Sequence, residues 1–78
     1  MSLADDIEDT VNWSVGSTLG KGIMDGCYRH IGVRRDELRK EDLDAVIRSL
    51  ESSLPLFVGT SAASGVIEKI KQRFKEAA

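Results

Sequence analysis

The chain has 78 residues, with one cysteine, one histidine and a net charge of −2 from 11 basic and 13 acidic side chains. That length supports one domain, residues 1–78, with a modest core; a lone cysteine excludes an internal disulfide, and cysteine and histidine are too few for a paired zinc site. The near balance of charge gives no global pull toward nucleic acid or anionic lipid, and the absence of about 18 consecutive apolar residues or of a basic flank before an apolar core argues against a membrane span or secretion signal.

Ser2 is placed to cap a first helix, with Asp5 three residues on completing a capping box. Apolar residues then recur at Ile7, Val11, Val15, Leu19, Ile23, Cys27 and Ile31. This spacing excludes strand alternation and argues for one long helix over about 3–31. Each step of four overshoots a helical turn by about 40°, so the stripe winds round the helix. Ile7 through Ile23, with Gly22 and Gly26, fall on one broad face; Trp13, Gly16, Gly20 and Met24 fall on a roughly opposite one. Four glycines inside a helix cost about 1 kcal/mol each relative to alanine. Either a neighbouring helix approaches closely at Gly16/Gly20 and Gly22/Gly26, or the helix breaks near Gly20-Lys21-Gly22; the continuous or slightly bent helix is favoured.

Arg29 and His30 followed by Gly32 mark its stop, with Gly32 left-handed and Val33 folding back. Residues 33–40 form a charged connector with at most one helical turn. Leu43, Val46, Ile47, Leu50, Leu54, Phe57 and Val58 hold helical phase over about 41–58, with a kink or restart at Pro55 where an amide is lost. Thr60 or Ser61 is expected to cap a last helix over about 61–76, apolar at Ala62, Val66, Ile67, Ile70 and Phe74. The expected fold is an all-α bundle of three to four helices.

Little in the chain reads as reaction chemistry. Gly16-Ser-Thr-Leu-Gly20-Lys21-Gly22 resembles a phosphate-binding loop, but it is one residue short, has Gly22 where Ser or Thr would hold magnesium, and follows no strand. Met24, Cys27 and His30 stand at steps of three, an incomplete ligand set, more simply a small buried hydrophobe and a helix-end cation. The only imidazole has no nucleophile demonstrably beside it, and a chain this small has few walls for a pocket. No catalytic residue, metal or cofactor is assigned, and the chain is not read as an enzyme.

Arg29, Arg34, Arg35, Arg39 and Lys40 form a basic segment for nucleic acid, with Tyr28 as a stacking ring. Asp36, Glu37, Glu41, Asp42 and Asp44 would repel phosphate, and the eight-residue connector is too long for a helix-turn-helix. Trp13 with Gly16, Gly20 and Met24 has the aromatic, Met and small-residue composition of an interface centre. The expectation is a cytoplasmic, non-enzymatic interaction or regulatory module. It associates as a homodimer through that face, with another protein as a further partner class. Nucleic-acid binding is the alternative, and a small ligand or metal at a dimer interface a lower one.

Overall fold

A computed structural model describes residues 2–75. They form four helices, α1 (Leu3–Val15), α2 (Ser17–Ile31), α3 (Leu43–Val58) and α4 (Thr60–Ile70), and no strand among the described residues. Short 3₁₀ turns at Arg35–Glu37 and Lys40–Asp42 fill the connector between α2 and α3, and a π-helical turn over Lys71–Lys75 extends α4. Each helix packs on the next in the chain, and α4 closes back on α1. The all-α bundle expected from apolar periodicity is thus the fold.

The long helix over 3–31 is broken, and at Gly16 rather than at Gly20-Lys21-Gly22. Gly16 has φ 92° and ψ 152°, a conformation essentially restricted to glycine. Its amide donates to the Asn12 carbonyl at 2.8 Å, and its own carbonyl accepts from the Gly20 amide at 2.8 Å. One residue therefore ends α1 and starts α2. Gly59 repeats the device between α3 and α4 with φ 87° and ψ 162°, bonding back to Pro55 at 3.1 Å and forward to Ala63 at 3.0 Å. Gly59, not Thr60 or Ser61, is consequently the N-cap of α4, and no side chain caps it.

Other termini follow the sequence. Ser2 Oγ accepts from the Asp5 amide at 3.2 Å while the Ser2 amide donates to Asp5 Oδ2 at 3.4 Å. Gly32 is left-handed at φ 72°, and the amides of Gly32 and Val33 both reach the Tyr28 carbonyl, at 2.9 and 3.2 Å. α3 starts at Leu43 and runs through Pro55 as one helix, without the restart expected there. α4 ends at Ile70, and the expected continuation to Glu76 lies outside the described residues.

The core draws Ile7 and Val11 from α1, Ile23, Met24 and Cys27 from α2, Val46, Leu50 and Leu54 from α3, and Val66 and Ile70 from α4. Ala63 fills the place expected of Ala62, which is exposed. Thr10 is buried because its hydroxyl donates to the Asp6 carbonyl at 3.0 Å, which removes the penalty of an unpaired polar group. Among the described residues no helix is long and apolar enough to cross a membrane.

Because a Cβ is strained at φ near +90°, Gly16→Ala and Gly59→Ala are expected each to destabilise the fold by about 1–3 kcal/mol. Gly22→Ala meets nothing within 4 Å and should stabilise it by up to about 1 kcal/mol through helix propensity. Urea denaturation followed by circular dichroism checks all three.

Candidate interaction surface

The four residues expected to form one interface face are separated. Trp13 is 82% exposed near the end of α1, and Gly16 is the exposed corner itself. Met24 is 1% exposed, inside the protein's own core. Gly20 is buried against α1, where a Cβ would fall on Asn12 Oδ1. The physical reason is the corner: once the helix folds back at Gly16, residues before and after it no longer share a helical phase. Close approach at Gly20 is real but internal, and Asn12 Oδ1, buried there, has no hydrogen-bond partner among the described residues. Trp13 instead borders an open cleft with Asp9, Thr10, Lys69, Gln72 and Arg73, across which Arg73 Nη1 donates to Thr10 Oγ1 at 3.1 Å.

Two residues of the basic segment, Arg34 and Arg35, face carboxylates of the same chain. Arg35 Nε donates to Glu8 Oε2 at 2.7 Å and its Nη2 pairs with Asp5 Oδ1. Arg34 Nε lies 3.7 Å from both Asp36 and Glu37, and the Arg39 amide donates to Asp42 Oδ2 at 3.0 Å. Arg29, Arg39 and Lys40 are exposed, and no side-chain ion pair holds them among the described residues.

Glu8 Oε2 also accepts from the Tyr28 hydroxyl at 2.6 Å. Burial, and then donation to that carboxylate, push the phenol well above its ordinary value. The Ser2 backbone and then Arg35 hold Asp5 below the usual carboxylate range, and the two carboxylates raise Arg35. This network straps the connector to α1 and engages Arg35, one of the five basic residues of the segment.

Cys27 is 2% exposed, its Sγ donating to the Val46 carbonyl at 3.9 Å, and burial raises the thiol. It is a packed hydrophobe with little thiolate character. His30 is exposed, Met24 is core, and no group of three or more His, Cys, Asp or Glu among the described residues is placed to hold a metal ion.

The surface that stands out is not among the expected sites. Leu56 is 83% and Phe57 55% exposed, side by side at the end of α3. They border a groove of about 310 Å³ between α2 and α3 whose other walls are Gly22, Ile23, Gly26, Cys27 and His30 on one side and Ser49, Ser52 and Ser53 on the other. Past Phe57 the groove continues along Gly22 and Ile23 to half-buried Val15 and Leu19. Gly22 and Gly26 have nothing within 4 Å of a would-be Cβ, so no contact among the described residues calls for either glycine. Phe57 keeps the apolar phase of its helix and so reads as core in the sequence. Leu56 breaks that phase, and an apolar residue out of phase on an amphipathic helix is the one signal the sequence holds for this surface.

Comparison with family models, with curated proteins and with solved structures found no match.

Tyr28 is the only tyrosine. Its raised pKa favours the neutral phenol in the folded state, so its contribution to stability is complete below the ordinary value of 10.0 and declines as pH rises above it. Tyrosinate absorbance is therefore expected to appear together with loss of helical circular dichroism in an alkaline titration. A phenol titrating near its ordinary value in the folded protein would contradict the bond to Glu8.

Proposed function

We propose that this protein is a non-enzymatic interaction or regulatory module that self-associates, and that the contact is made by the α2–α3 face carrying Leu56 and Phe57. The exposure of those two neighbouring side chains beside an open groove is the observation that carries the reading. Scattered exposed apolar residues are ordinary, but two large ones flanking an apolar depression are the usual form of an interaction site. This moves the contact away from Trp13 and the buried Gly20 and Met24. The arrangement also supplies what a small core lacks, since association adds buried area to a domain of this size. A buried, lone thiol fits a reducing compartment, and we place the protein in the cytoplasm.

Nucleic-acid binding through the 29–40 segment has weaker support, because Arg34 and Arg35 already face carboxylates.

Sedimentation equilibrium is expected to show a dimer for the wild type. Leu56→Glu and Phe57→Glu should each weaken it by about 100-fold or more, because each is lost twice by symmetry. Both positions are exposed, so helical circular dichroism should be retained. Trp13 emission should remain that of a solvent-exposed indole in the dimer. A monomeric wild type, or dimers indifferent to both variants, would overturn the reading.

A further inference from the structure

We infer that the cleft between α1 and the end of α4, a site separate from the α2–α3 face, binds a nucleotide, with the base stacked on Trp13 and the phosphate held by Lys69 and Arg73. The cleft encloses about 550 Å³ and is lined by Asp9, Thr10, Trp13, Lys69, Gln72 and Arg73. Small-ligand sites usually measure about 300–1,000 Å³. Asp9 and Trp13 stand one turn apart on α1, and Lys69 and Arg73 stand about one turn apart on α4 and its π-helical extension. One wall therefore offers an indole face and a carboxylate, and the other offers two cations.

Arg73 is held in position rather than neutralised. Its Nη1 donates to Thr10 Oγ1 at 3.1 Å, and its guanidinium lies over the Phe74 ring, 5.6 Å from the centroid. Thr10 is buried and gives its own proton to the Asp6 carbonyl, so toward Arg73 it acts as acceptor. That bond uses one of the five guanidinium N–H groups and leaves the others to a ligand. Among the described residues no ion pair joins Arg73 or Lys69 to a carboxylate, Asp9 in the same cleft included. Trp13, 82% exposed, completes a flat apolar face beside these cations. Stacking of a base on an aromatic side chain and pairing of phosphate with guanidinium and ammonium are the two contacts that hold nucleotides without reading sequence. Asp9 narrows the class further. Its carboxylate repels an anion beside it but accepts from neutral O–H and N–H donors, which the sugar and base supply and Gln72 can supplement. The cations outnumber it across the cleft, which favours a doubly charged phosphate ester over a single carboxylate.

Trp13 is the only tryptophan, so its emission reports occupancy of the cleft. Titrating the 78-residue chain with adenosine monophosphate is expected to quench that emission saturably, with half-saturation at or below about 1 mM. Adenosine and inorganic phosphate should each bind at least about tenfold more weakly, since each keeps one of the two contacts. Lys69→Gln should weaken the monophosphate about fivefold and leave adenosine unchanged. Trp13→Ala, followed by equilibrium dialysis, should lose about tenfold or more. Both positions are exposed, and helical circular dichroism should be retained in both variants. A short oligoadenylate that binds more tightly than the monophosphate supports the site as one for single strands, and equal binding supports it as one for free nucleotides. Absence of saturable quenching, equal affinity for adenosine and its monophosphate, or equally tight binding of free phenylalanine, which offers a ring and a carboxylate, would overturn the inference.

Discussion

Two glycine corners are the constraint on which this bundle depends. Gly16 and Gly59 each hold a positive φ with an extended ψ, and each gives its amide to the helix behind and its carbonyl to the helix ahead. No loop is spent on either turn. Helix pairs in bundles usually need connections of about two to eight residues, whereas here one residue turns the chain. The protein is therefore two helical corners, α1–α2 and α3–α4, joined by a longer connector, with α2 packed on α3 and α4 on α1. A side chain at either glycine would strain the backbone where the direction of the chain is set.

The connector has no apolar stripe of its own, and electrostatics hold it instead. Leu38 is only partly buried, while Arg35 reaches back across the fold to Glu8 and Asp5, and Tyr28 donates to the same Glu8. The Tyr28 end is shielded and Glu8 is mostly covered, whereas Arg35 is half exposed and its pairing is correspondingly screened. The acidic N-terminal residues and the basic segment are thus joined within the fold. They meet within one chain at Arg35, which pairs with both Asp5 and Glu8.

Fold class and the apolar faces are legible in the sequence because four-helix packing is written in apolar spacing, which survives errors in where helices end. The capping box at Ser2 and the stop at Gly32 are equally legible, being local hydrogen-bond chemistry. The break at Gly16 is not. Gly16, Gly20, Gly22 and Gly26 are alike in composition, and what distinguishes Gly16 is a backbone conformation imposed by packing α1 on α2. The error propagates: a continuous helix puts Trp13 and Met24 on one face, and a corner between them puts one in solvent and the other in the core. At Pro55, where a kink or a restart is expected, the restart does not occur, since α3 runs through it. Leu56 is visible as an out-of-phase leucine, but the groove beside it depends on how far apart α2 and α3 sit, which no spacing rule provides.

The four internal glycines of the first half therefore divide by what each does. Gly16 turns the chain, and Gly20 makes room for Asn12. Gly22 and Gly26 do neither, yet each weakens α2 by about 1 kcal/mol against alanine. That cost falls on a domain whose core is small, and alanine at either site would meet no atom within 4 Å. Natural chains retain such local weaknesses chiefly where function needs them. Leu56 and Phe57 present the complementary anomaly, apolar surface kept in water at the rim of the same groove. Both are unfavourable in the isolated chain, and one event, the close approach of another helix to this face, would offset both. That coincidence favours the α2–α3 face over the Trp13 cleft, where the indole is exposed but the neighbouring residues are mostly polar or charged.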